Sequence, residues 1–169
     1  MTHYYDLIAS PFGPMLAVVD AAGALTQLHF NPSPKTYARL GDAQADAKRL
    51  AEVRHQLGQF LAGTRTVFEL PLAPEGSAFQ QQVWQRLLAI PYGETRSYGE
   101  LARELGDPNL SRAVGRANGS NPIALIVPCH RVIGADGSLT GYAGGLPLKQ
   151  ALLAFEREHR PGPQGLLAF

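Results

Sequence analysis

The sequence predicts an α+β fold in two parts: a small antiparallel sheet with one helix (residues 1–76), then a mostly helical half (residues 77–169). Three observations predict it. Residues 4–30 alternate short β-prone runs with turn residues. Residues 43–62 then carry apolar side chains close to a 3.6-residue period. Beyond the Pro-rich segment 71–76 the pattern changes to short, capped, amphipathic helices.

Residues 4–10 read as the first strand, and Pro11-Phe12-Gly13-Pro14 as a turn. Residues 15–20 form the second strand, Ala21-Ala22-Gly23 the next turn, and residues 24–30 the third strand of a meander. Asn31-Pro32-Ser33-Pro34 breaks the pattern. In the helix expected over 43–62, Ala43, Ala47, Leu50, Leu57 and Leu61 share a face, with Gly63 as the stop. Residues 67–70 are a candidate fourth strand.

In the second half, Ser77 with Gln80 makes a capping box, followed by an apolar face of Phe79, Val83, Trp84, Leu87 and Leu88. Pro91-Tyr92-Gly93 ends that helix. Ser97 with Glu100 makes a second box and opens a helix that turns Leu101, Ala102 and Leu105 inward, with Gly106 as its stop. Asp107-Pro108 leads into a third helix over 111–118. Two short helices joined by a Gly-containing turn make a helix-turn-helix candidate; on spacing alone an ordinary helical hairpin fits as well. The aliphatic run 123–127 reads as a buried strand, ended by Pro128, which cannot donate a ladder hydrogen bond. Gly141-Tyr142-Ala143-Gly144-Gly145 is a loop, and Pro147 suits the first turn of a last helix carrying Leu148, Ala151, Leu152 and Phe155 on one face. Gly144 and Lys149 do not make a phosphate loop, because Pro147 intrudes and Gln150 follows the lysine. Residues from 161 onward carry no strong signal.

Composition narrows the function classes. With 169 residues, 45% hydrophobic and 17% charged, the chain suits one globular domain or two small ones and not a disordered segment. A net charge of +1 announces no polyanion partner by itself. Residues 77–169 hold nine Lys/Arg against seven Asp/Glu, a slight basic bias absent from the first half. One cysteine makes neither an internal disulfide nor a multi-thiolate zinc site, and His3, His29, His55, His130 and His159 lack ligand spacing. No metal and no cofactor are therefore expected. The N-terminus lacks a signal-peptide pattern, and no apolar run approaches the ~20 residues that span a bilayer. A cytoplasmic, reducing location follows as the expectation.

Cys129 is the residue with chemistry to offer. A lone cysteine is commonly just a small buried hydrophobe. This one follows a proline at the end of the aliphatic run, beside His130 and Arg131, where binding loops emerge and where positive charge favours the reactive thiolate. Adjacent side chains on an extended segment point to opposite faces, so His130 can act on the sulfur only through a bridging water or a turn.

Pro128-Cys129-His130-Arg131-Val132 resembles the signature of the O6-alkylguanine-DNA alkyltransferases, also called methylated-DNA–protein-cysteine methyltransferases. The resemblance continues through Pro91-Tyr92-Gly93-Glu94-Thr95, Ser97-Tyr98, Arg112-Ala113-Val114-Gly115, Ala117-Asn118, Asn121-Pro122, Gly141-Tyr142-Ala143-Gly144-Gly145 and residues 149–156. It spans the second half in order; the first half matches in outline.

The resemblance implies a ribonuclease-H-like first domain and a winged helix-turn-helix-like second one. It implies that Cys129 accepts an alkyl group from O6-alkylguanine, or O4-alkylthymine, and keeps it. His130 is implied as the base acting through a water, Glu156 as the carboxylate that orients it, Asn121 as the hinge, and Tyr98 as the hydroxyl supporting the departing guanine. Arg112 is implied as the finger that fills the hole left by the flipped nucleotide, with Ser97, Ser111, Ala113, Gly115, Arg116 and Asn118 along the minor groove of double-stranded DNA. Tyr98, Val132, Leu139, Tyr142, Ala143 and Gly144 are implied as the base pocket. Without the family match, Glu156, Arg112 and Arg116 read as solvated helix-face residues. Some relatives carry zinc in the first domain, which a single cysteine cannot reproduce. Ala143 stands where some have Ser, and Ser120 where some have a basic residue. No membrane and no obligate protein partner are implied. The competing expectations are a protein that binds alkylated DNA without reacting, and a cysteine hydrolase.

Overall fold

The computed structural model describes residues 2–142 and 144–160. Strands β1 (His3–Ile8), β2 (Met15–Asp20) and β3 (Leu25–Phe30) form the expected antiparallel meander. The Asp20 carboxylate fixes the second turn by accepting from the amides of Ala22 and Ala24. As the central strand, β2 is covered on both faces, and residues 15–19 are all buried.

The next stretch departs from expectation. A short helix α1 (Pro34–Ala38), capped by Ser33 and Thr36, precedes a two-residue strand β4 (Gln44–Ala45) that pairs parallel with β1. The sheet is therefore mixed, in the order β3-β2-β1-β4. The helix expected over 43–62 shrinks to α2 (Ala51–Leu61), with Val53, Leu57 and Phe60 buried. The apolar spacing of Ala43 and Ala47 was coincidental, because the chain there is spent on β4 and a turn. Residues 67–70 do not form a strand: Val67 is exposed. The peptide groups of Glu69 are satisfied instead by the Gln56 side chain, which accepts at 2.8 Å and donates at 3.1 Å. That buried amide takes the place of a strand neighbour.

The second half follows its capping signals. Helix α3 (Ala78–Leu88) starts at the Ser77/Gln80 box, and α4 (Tyr98–Glu104) at the Ser97/Glu100 box. A 3-10 turn (Pro108–Leu110) leads into α5 (Ser111–Gly119). Trp84 of α3 donates from its indole nitrogen to the Ala117 carbonyl at 2.9 Å, seating α5. Strands β5 (Arg96–Ser97) and β6 (Val132–Ile133) pair parallel beside α4, and α6 (Leu146–His159) closes the chain.

The aliphatic run 123–127 is buried at every position but Ala124, and it is not a strand. Only Ile123 bridges to Leu28 of β3, and Leu125 turns the chain through φ 69°. This docks the segment on the first half: Leu28 donates to the Pro122 carbonyl at 2.9 Å and accepts from Ala124 at 3.0 Å. One hydrophobic core consequently runs from the sheet through Phe60 to Val114 and Leu152. Among the described residues no helix is long and apolar enough to cross a membrane.

Candidate active site

Cys129 sits on a 3-10 turn (Cys129–Arg131), not at the end of a strand. The Arg131 amide donates to the Pro128 carbonyl at 2.9 Å and closes the turn. Side chains therefore do not alternate here, and the geometric objection to an adjacent histidine disappears. Asn121 sets the approach. Its Nδ2 donates to the carbonyls of Ile123 (3.2 Å) and Val127 (2.8 Å), and its Oδ1 accepts from the Ile123 amide (3.0 Å). One side chain thus folds the loop that joins α5 to the cysteine. Asn118, expected at the DNA surface, is buried instead and donates to the Cys129 carbonyl at 3.4 Å.

His130 is fully buried, with Nε2 2.6 Å from Oε2 of Glu156. Glu156 is itself buried and accepts further bonds from Arg131 Nε (2.8 Å), the second Arg131 nitrogen (2.9 Å) and the Gly93 amide (3.1 Å). Gly93 reaches it with φ 78°, a conformation that glycine adopts without strain. Because the carboxylate is acceptor-only, Nε2 carries the proton and Nδ1 is the ring's acceptor. Nδ1 is buried with no protein partner.

Three groups set the electrostatics of the site. At Glu156, burial pushes the carboxyl up, but the His130 and Arg131 bonds outweigh it and hold the pKa at about 2. Burial pushes the His130 ring down, against the pull of Glu156, so it rests neutral. Burial pushes the Cys129 thiol up, while Asn121, Lys149 and Tyr142 pull it back. The resting site is therefore a protonated thiol beside a neutral base. Arg131, read from sequence as a neighbour favouring the thiolate, instead grips Glu156 bidentately and donates to the Ile90 carbonyl at 2.8 Å.

The remaining expected residues fall into three places. Tyr142, Gly144, Asn118 and Asn121 bound a cavity of about 250 Å³ at Cys129. Asn31, Ser33 and Thr36 from the first half complete its wall, and nothing in the sequence pattern pointed to them. Tyr98, Leu139 and buried Val132 are not among the described residues that line it. Tyr98 packs over Gly115, and its hydroxyl accepts from Thr140 Oγ1 at 2.9 Å. On α5, Arg112 and Arg116 are exposed, Ala113 and Gly115 half-buried. Ser97 is buried as the α4 cap, and Ser111 donates to the Pro108 carbonyl. Ala143 lies outside the described residues. Lys149, which opens the matched stretch 149–156 and was given no role from sequence, is fully buried and donates to the carbonyls of Val132 (2.5 Å) and Thr140 (2.8 Å).

The family described as 6-O-methylguanine DNA methyltransferase, DNA binding domain, matches residues 78–158. A methylated-DNA–protein-cysteine methyltransferase of Mycolicibacterium paratuberculosis is 49% identical over 93% of this chain and 94% of its own. The crystal structure of Mycobacterium tuberculosis O6-methylguanine methyltransferase superposes with a TM-score of 0.87 at 44% identity, covering 98% of this chain and 99% of that one. The same organism's OGT in complex with DNA gives 0.85 at 44% identity, covering 99% of each chain.

Proposed function

The chain belongs to the methylated-DNA–protein-cysteine methyltransferase family, and from that premise we propose that it lifts the alkyl group from O6-alkylguanine in DNA onto Sγ of Cys129. The observation that carries this reading is the His130 ring. Its Nε2 is committed to Glu156, and its buried Nδ1 is left as an unused acceptor on the turn that bears the cysteine.

The chemistry follows. A water bridging Sγ and Nδ1 passes the thiol proton to His130, and the paired Glu156 steadies the resulting imidazolium. The thiolate attacks the alkyl carbon in line. The S–C bond forms, the C–O6 bond breaks, and its electron pair stays on guanine. Tyr98 donates a hydrogen bond to the developing negative charge, and guanine finally takes up the proton that the thiol gave up. The product is a thioether that no group in the site can hydrolyse, so each molecule acts once. O4-alkylthymine would react by the same displacement.

The target atom lies inside the duplex, so the nucleotide must be flipped, at a cost of a few kcal/mol. Arg112 and Arg116 have no protein partner among the described residues, which leaves them for the minor groove and the vacated space. Ser111, Ala113 and Gly115 line the same helix. Tyr142 and Gly144 wall the cavity at the sulfur. Double-stranded DNA is the partner in this reading, no obligate protein partner is needed, and the setting is the cytoplasm.

Incubation with an oligonucleotide containing O6-methylguanine, followed by intact mass measurement, tests it. A gain of one CH2 unit is expected, and it should vanish in Cys129→Ser. Tight binding with no mass change would overturn the reading in favour of a recognition protein. Multiple turnover of small esters would overturn it in favour of a hydrolase.

A further inference from the structure

Two residues near the site have no role in that mechanism, Lys149 of α6 and Thr140, and together they connect α6 to Tyr98 of α4. Lys149 is fully buried, its ammonium donating to the carbonyls of Val132 and Thr140. It thereby pins the backbone of Thr140 against β6. The Thr140 hydroxyl then donates to the Tyr98 hydroxyl across 42 residues of sequence. On its other side the Tyr98 ring lies 3.8 Å from where a Cβ on Gly115 would stand. Both ends of the Thr140 hydrogen bond are thus fixed by packing or by charge.

A phenol has one proton and two lone pairs. With one lone pair engaged by Thr140, the Tyr98 proton must point away from Thr140. Accepting a hydrogen bond also polarises the O–H and makes it a stronger donor. We propose that Thr140, held by Lys149, is a positioning residue that aims and strengthens the Tyr98 hydroxyl as the donor to the departing base. This rests on the alkyl-transfer reading above. Thr140 touches no reacting atom; it acts through Tyr98.

The test uses the whole protein, free O6-benzylguanine, and O6-benzyl-8-bromoguanine, whose leaving group is more acidic. The rate of benzyl mass gain is measured for wild type, Thr140→Val and Thr140→Ser. A donor that serves the leaving group matters less as that group becomes more acidic. Thr140→Val should therefore slow transfer from benzylguanine about tenfold, and transfer from the bromo compound by much less. Thr140→Ser, which keeps the donor, should restore the rate. In a Tyr98→Phe background, Thr140→Val should have no further effect. Equal losses on both substrates, no loss on either, or an undiminished loss in the Tyr98→Phe background would overturn the proposal. A purely structural defect gives the first or last of these. Failure of wild type to gain mass from either compound would instead overturn the alkyl-transfer reading itself.

Discussion

At Glu156, four hydrogen bonds from three residues converge on one buried carboxylate, and two pH dependences follow. The first concerns stability. The folded carboxyl sits at about 2, below its usual 4.5, so the stability it contributes is present above 4.5 and is lost as pH falls toward 2. His130 acts in the same direction at higher pH. Burial holds the folded ring below 6.5, so below that value the unfolded chain gains a proton that the folded chain resists. Urea midpoints should therefore fall from pH 7 to 5 and again from 5 to 3, and Glu156→Gln should flatten the second fall. A midpoint independent of pH in the wild type would refute this. The second dependence concerns rate. Without the carboxylate, His130 is a weaker base, so Glu156→Gln should move the rising limb of the pH–rate profile for Cys129 alkylation to higher pH. Little of this was legible residue by residue. His130 and Glu156 are 26 positions apart, and a glutamate on a helix reads as solvated until the fold buries it. Only the family pattern joined them. Arg131 is a sequence neighbour of Cys129, but its guanidinium is taken up by Glu156 and the Ile90 carbonyl.

Helix α5 carries the arginines proposed to meet DNA. Its inner face, Val114 and Ala117, packs into the core, and its outer face carries Arg112 and Arg116. Arg112→Ala should therefore lower the rate on duplex O6-methylguanine much more than the rate on free O6-benzylguanine, with the melting temperature unchanged. Equal losses on the two substrates would remove the finger role. The loop after α5 makes a sharper prediction. Asn121 satisfies three backbone groups, so Asn121→Ala should cost about 1–3 kcal/mol in chemical denaturation. It should also slow transfer, because the cysteine loop loses its brace. These elements were readable to different degrees for physical reasons. Capping boxes are local, and Ser77, Gln80, Ser97 and Glu100 all bond as their spacing predicted. Strands depend on distant partners. The run 123–127 satisfies its backbone through Asn121, a tight turn and Leu28, and Glu69 within 67–70 does so through Gln56. Apolar character foretold the burial of 123–127 but not its shape.

Across the whole molecule, Phe60 is the joint between the parts. It is fully buried on α2, stacks on Phe68 at 5.3 Å and on Phe155 of α6 at 5.7 Å, and meets the edge of Tyr92 at 5.6 Å. Phe155 lies one residue before Glu156, and Tyr92 one before Gly93, so the aromatic stack backs onto the buried Glu156 carboxylate and its Gly93 partner. The sequence places a boundary near residue 76, yet the apolar surface on the two sides of it forms one core, and Leu28 hydrogen-bonds across it. Unfolding should then be a single transition. Loss of Trp84 fluorescence, which reports on the second half, should coincide with loss of the far-UV signal of the whole chain. Phe60→Ala removes the joint without touching the site. It should cost about 3–5 kcal/mol and lower both signals' midpoints together, although the substitution lies in the first half. If Trp84 kept its wild-type midpoint while the far-UV signal split in two, the halves would be independent folding units. The brace on Glu156 would then have to come from the second half alone, from His130, Arg131 and the Gly93 amide.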